Sequence, residues 1–220
     1  MQPVHERLLE TVLQERDRIV SRRGFLTGSM KIGVGGALAL AVAGSPRFGV
    51  SSAFAADFKN DVDVLNYALT LEHLEYSFYR DGIGNFTFGN DPFGMSIDTN
   101  LGLIRDHEKA HVDTLTSVIT SLKGTPVEEA TYDFGYGTDP KKFLATAAAL
   151  ENTGVMAYDG AGSSIKNADL LTAAGTIVAV EARHASYLNL LNGVIPFPEA
   201  FEQAKDKAAI LKIAGPFIKS

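Results

Sequence analysis

Glu108-Lys109-Ala110-His111 and Glu181-Ala182-Arg183-His184 are one tetrad, Glu-x-x-His, met twice in the same chain. On a helix, residues three apart share a face, so in each tetrad the carboxylate and the imidazole point the same way. Both tetrads sit inside apolar stripes of helical period. The first stripe runs through Leu101, Ile104, Leu115, Ile119 and Leu122, the second through Leu170, Ala174, Ile177, Ala185 and Leu188. Each is preceded by a further helical stripe with a single glutamate near its middle. Glu72 lies among Leu65, Ala68, Leu69 and Tyr76, and Glu151 among Leu144, Ala147 and Val155. The chain is therefore a weak internal repeat of two helix pairs. Tyrosine repeats with it, since Tyr79 lies seven residues after Glu72 and Tyr158 seven after Glu151. No strand-like alternation of any length competes, and the pattern predicts an all-α four-helix bundle.

Four glutamates on four converging apolar faces pose a chemical problem. A buried carboxylate is costly unless paired, and four in one core cannot all stay ionised. No lysine or arginine lies on those faces to offset them. Two divalent cations would balance four carboxylates, and two neutral imidazoles would complete the coordination, which is the ligand set of two-metal sites in helical bundles. The predicted metal ligands are Glu72, Glu108, His111, Glu151, Glu181 and His184. Hard oxygen donors with one imidazole per ion suit two iron or two manganese ions, rather than copper or a thiolate-type zinc site. His73 and His107 fall about 100° round their helices from the ligand direction, which places them at the surface or behind the ligands. Tyr79 and Tyr158 can be core aromatics or hydrogen-bond donors to ligands. Glu75, on the flank, can be a spare carboxylate or stand behind the ligands.

The helices are expected at about 61–79, at about 99–122, from 140 up to a short linker near 163–167, and at about 168–191, with a short amphipathic segment at about 199–213. Asn60 or Asp61 caps the first, and Asp139 followed by Pro140 opens the third. Gly124 and Pro126 end the second, and a long crossover, 125–138, leads to the third. The stretch from Gly82 to Met95, with Phe86, Phe88 and Phe93, is too rich in Gly, Asn, Asp and Pro to be helical, and reads as packing over one bundle end.

The first 55 residues stand apart. Ser21-Arg22-Arg23-Gly24-Phe25-Leu26 has the form of a twin-arginine signal, preceded by a charged segment and followed by an apolar run, Ile32 to Gly44. Ala53-Phe54-Ala55 then offers an A-x-A cleavage site. The apolar run is short of the about 20 residues a membrane span needs. The expected organisation is a signal and linker over 1–55 and one bundle domain over 56–220, exported to the periplasm or beyond by the twin-arginine machinery. Retention of the signal as an anchor is the main variant. Residues 56–220 hold 13 Lys and Arg against 22 Asp and Glu. With a pI near 5.4 for the whole chain, there is no basic patch for nucleic acid. The chain has no cysteine, which excludes disulfides, thiolate metal sites, iron–sulfur clusters and a cysteine nucleophile.

The run Leu65-Asn66-Tyr67-Ala68-Leu69-Thr70-Leu71-Glu72-His73-Leu74-Glu75-Tyr76-Ser77-Phe78-Tyr79 resembles the ferritin-like superfamily. It looks most like the branch of bacterial ferritin-like domain proteins and plant desiccation-related proteins. The likeness extends over about 57–193. It implies that Glu108 and Glu181 bridge two metals, that Glu72 and Glu151 are terminal ligands, and that His111 and His184 each bind one ion. It also implies redox chemistry with a small oxidant, oxygen or peroxide, in stress or desiccation protection. A non-enzymatic stress protein that keeps the metal site, or an iron store built as a homo-oligomeric shell, fits the same residues, because fold does not fix function.

Overall fold

The computed structural model describes residues 58–219. The twin-arginine motif, the apolar run and the cleavage site lie outside them. Among the described residues there are five α-helices and no strand, and no helix is long and apolar enough to cross a membrane. The bundle helices are α1 (Asp61–Gly82), α2 (Ile97–Ser121), α3 (Pro140–Gly162) and α4 (Ala168–Leu191), followed by the short α5 (Lys207–Ala214) and a 3₁₀ turn, Gly215–Phe217.

Each helix starts where a side chain can satisfy its free amide groups. The carboxamide oxygen of Asn60 accepts from the Asp63 amide, Ser96 accepts from Thr99, and Asp139 accepts from Lys141 and Lys142 ahead of Pro140 in the first turn. Asn167 caps α4 and Asp206 caps α5. Helix α2 ends as Lys123 adopts a φ of 61°, followed by Gly124. Helix α1 runs three residues beyond the expected end at 79. Its last residue, Gly82, lies against Phe143, whose ring would be 2.2 Å from an added Cβ.

Helix α1 packs along α2 and α3 along α4, and α1 and α3 meet across the middle, whereas α2 and α4 are more widely spaced. The core falls into two clusters. One gathers Leu65, Ala68, Leu69, Leu115, Ile119 and Ile177. The other includes Leu74, Phe78, Leu101, Ile104, Phe143 and Leu188. Along α1, α2 and α4 the acidic residues and histidines lie between these two sets, so a polar layer divides the hydrocarbon core. As expected, Phe86 and Phe88 close one end by packing on Phe143, while Phe93 is exposed.

The C-terminal segment differs from expectation. Residues 199–206 are not helical, and the helix begins only at Lys207. Tertiary contact overrides the local pattern here. The Lys205 amide donates to Met156 O, and the Lys205 carbonyl lies over Gly160, 1.9 Å from where a Cβ would sit. Gly160→Ala is therefore expected to cost about 1–3 kcal/mol, as overpacking against backbone does. Gly102→Ala, in the interior of α2 with nothing within 4 Å of the added carbon, is expected to stabilise by roughly 0.5–1 kcal/mol. Thermal melts of the two variants check the pair of opposite signs.

Candidate metal centre

The six predicted residues converge on the polar layer. Glu72, Glu108, Glu151 and Glu181 have no exposed surface, and His111 and His184 are buried as well. They form two compact groups in which one ligand atom from each residue lies within 4.8 Å of all the others. Glu72, Glu108, His111 and Glu181 make the first, and Glu108, Glu151, Glu181 and His184 the second. Glu108 and Glu181, the two glutamates of the tetrads, are common to both.

The imidazoles show what the layer is suited to hold. His111 Nδ1 faces three carboxylate oxygens at once, 3.2 Å from Glu72 Oε2, 3.2 Å from Glu108 Oε2 and 3.0 Å from Glu181 Oε1. His184 Nδ1 lies 2.9 Å from Glu108 Oε1 and 3.1 Å from Glu151 Oε2. One ring nitrogen carries at most one hydrogen and cannot serve three acceptors. The approaches to Glu108 Oε1 and Glu181 Oε1 are close but off the hydrogen-bond line, and Glu108 Oε1 and both oxygens of Glu181 have no hydrogen-bond partner. Buried carboxylate oxygens are normally satisfied. Oxygens and ring nitrogens that point at common spaces, with three of the four oxygens of Glu108 and Glu181 left without a hydrogen bond, fit divalent cations by donor type and by arrangement.

The electrostatics agree. Burial and the other carboxylates push Glu181 well above the ordinary range, and burial with Glu151 raises Glu108 to about 7, against the histidines, which lower it. Burial alone would lower the histidines, but the facing carboxylates outweigh it and raise His184 to about 9 and His111 to about 12. Acids and histidines alike are shifted toward their protonated forms: without cations, the layer compensates its negative charge with protons.

Around the six stands a supporting shell that crosses between the halves. Tyr79 of α1 donates to Glu151 Oε1 of α3 at 2.7 Å, and Tyr158 of α3 donates to Glu72 Oε1 of α1. Burial and the neighbouring carboxylate push both phenols well above their ordinary value, so both stay protonated donors. Tyr79→Phe is expected to leave a Glu151 oxygen unpaired at a cost of about 1–3 kcal/mol. It should also weaken metal binding about 10- to 100-fold, the usual effect of losing a group that holds a ligand in place. Titration calorimetry of the variant checks this; affinity equal to wild type would reduce Tyr79 to packing.

His107, placed at the surface or behind the ligands by its position on α2, proves to be both. It is exposed, yet its Nδ1 is 2.9 Å from His184 Nε2 on α4, with the two rings nearly parallel. In the tautomer that leaves His184 Nδ1 open to a metal, His184 Nε2 donates this hydrogen bond and fixes the ring. His73 stands away from the site, with its Nε2 3.2 Å from the crossover carbonyl of Val127. Glu75, on the flank of α1, is buried beside Glu181. An apolar cavity of about 40 Å³ abuts the layer. Its wall includes Ala68, Leu115 and Ile177, each one helical turn from a ligand on its own helix, and Tyr158.

Comparison with known proteins agrees with this architecture. Residues 60–193 match the sequence profile of a family described as ferritin-like domain. A conserved hypothetical protein from Mycobacterium tuberculosis, of solved structure, is similar in fold. The TM-score is 0.51 at 20% identity, covering 63% of this chain and 94% of that one. Identity so low speaks for the fold alone. No curated protein matches the sequence. With the profile spanning all four bundle helices and the paired Glu-x-x-His helices in place, the chain belongs to the ferritin-like domain family.

Proposed function

We propose that the protein is an exported dinuclear metal protein, with iron or manganese held by Glu72, Glu108, His111, Glu151, Glu181 and His184, that reacts with dioxygen or peroxide. The observation that carries this reading is the convergence of both imidazole Nδ1 atoms on carboxylate oxygens 2.9–3.2 Å away, with Glu108 and Glu181 shared by both groups. Glu108 and Glu181 would bridge the ions, Glu72 with His111 would complete one, and Glu151 with His184 the other. Metals bound there would supply electrons to the oxidant. The chain's own residues would hold the ions close together, keep bulk water out and orient the ligands through Tyr79, Tyr158 and His107. The cavity lined by Ala68, Leu115, Ile177 and Tyr158 supports a small, apolar reactant such as dioxygen, because water there would lack the two to four polar partners it needs.

The test is metal analysis of protein purified from its native compartment, then oxygen and peroxide consumption by protein reloaded with Fe(II) or Mn(II). Turnover of either oxidant supports the redox reading. Two bound ions without turnover support a metal-binding stress protein instead, and a many-subunit shell that mineralises iron would make it a store. Export is a separate element of the proposal and rests on the Arg22-Arg23 motif. Replacing both arginines with lysine is expected to hold the protein in the cytoplasm, read by fractionation; unchanged export would show that the motif is not the signal.

A further inference from the structure

The internal repeat makes the two halves of the site comparable position by position, and at one position they differ in a way that bears on the metals. Three residues after Glu72 stands Glu75; three residues after Glu151 stands Gly154. The two positions face each other. A Cβ added to Gly154 would lie 2.9 Å from Glu75 Oε1 and 3.3 Å from Glu181 Oε2. The carboxylate of one half thus fills the space left by the missing side chain of the other, alongside the shared Glu181.

Glu75 is 3% exposed, and no lysine or arginine is buried among the described residues. The nearby phenols are already committed, Tyr79 to Glu151 and Tyr158 to Glu72. Glu181, beside it, has neither oxygen hydrogen-bonded. The Oε1 of Glu75 lies against Gly154, which is on α3 one turn from Glu151. It therefore belongs with the Glu151–His184 group, on whose His184 the extra imidazole of His107 also rests. The Glu72–His111 group has no matching addition: the position equivalent to His107, before Glu181, is Val180.

We propose that Glu75 is a fifth carboxylate of the centre, a ligand to the ion in the Glu151–His184 half, and that it makes the two metal positions inequivalent. This rests on the dinuclear reading above. Glu75 lies just outside the compact group of Glu108, Glu151, Glu181 and His184. On this proposal, its side chain would turn within the space over Gly154 to reach the ion. The half with three carboxylates besides Glu108 is then the tighter position for a hard divalent cation.

Titration calorimetry with Mn(II), together with metal counts on the dialysed protein, tests it. Wild type is expected to take up two ions in two resolved steps. Glu75→Gln keeps the shape and removes one charge donor. It is expected to weaken the tighter step at least tenfold and leave the other unchanged. Gly154→Ala alters no carboxylate but crowds Glu75 most closely and the shared Glu181 less, and is expected to weaken the same step more than the other. Glu75→Asp, with the charge kept on a shorter arm, should fall between wild type and Gln. Two ions bound with a single affinity, an unchanged Glu75→Gln, or equal weakening of both steps would overturn the assignment and leave the dinuclear reading standing. Wild type that binds no Mn(II) would overturn both.

Discussion

Replacing Glu108 and Glu181 together with glutamine is expected to abolish the thermal stabilisation that Mn(II) or Fe(II) gives the wild type. These two residues belong to both groups, so the double substitution takes two of the four carboxylate and imidazole donors from each group. Ligand linkage sets the size of what is lost. Free metal at a thousand times its dissociation constant stabilises by about 4 kcal/mol. For a domain of this size, that corresponds to roughly 10 °C in melting temperature. The metal-free double variant should melt no lower than metal-free wild type, because burial already pushes both carboxyls toward their protonated form and glutamine keeps the shape. Calorimetric melts of both proteins, with and without metal, decide it. A double variant that gains as much from metal as wild type would show that Glu108 and Glu181 do not bridge.

The second large effect is in pH. Glu108, His184 and His111 are all raised above their ordinary values in the folded, metal-free protein. Each therefore contributes stability that is complete below its unfolded pKa and fades as pH rises through the folded one. For Glu108 that window runs from 4.5 to about 7, for His184 from 6.5 to about 9, and for His111 from 6.5 to about 12. Metal-free protein should thus lose stability steadily from weakly acid to alkaline pH. The metal-bound form needs these groups deprotonated, so its affinity rises over the same range and binding releases protons. The gap in melting temperature between the two forms is expected to be near zero at about pH 5 and to be still widening above pH 8, as His184 and then His111 lose their protons. A gap that is constant across that range, or an absence of proton release in buffers of different ionisation enthalpy, would mean that these groups are not displaced by metal.

How far the sequence alone could lead depended on whether a residue's role lies within one helix or between two. The bundle and the six ligand positions follow from single-helix periodicity. Glu72, Glu108, His111, Glu151, Glu181 and His184 all lie on the apolar stripes that must face inward, and the structure buries all six. The seven-residue spacing marked Tyr79 and Tyr158 as a matched pair but not their partners, because each reaches the opposite half. His107 looked peripheral on α2, and only the placement of α4 brings His184 against it. Glu75 could not be placed without Gly154, whose bare backbone on another helix makes its burial feasible. The end of the chain was misjudged for the same reason. The stretch from 199 carries an amphipathic pattern, but with Lys205 docked on α3 it is not helical until Asp206 caps a helix.

The exchange of tyrosines between α1 and α3 bears on how the molecule opens. A helix at the side of a bundle can ordinarily detach as its own unit, with its amides exchanging ahead of the rest. Here neither α1 nor α3 can leave without stripping a hydrogen bond from a buried carboxylate on the one that stays. Amide protons around Glu72–Tyr79 and Glu151–Tyr158 should accordingly exchange with deuterium together, as one cooperative block near the slowest in the protein.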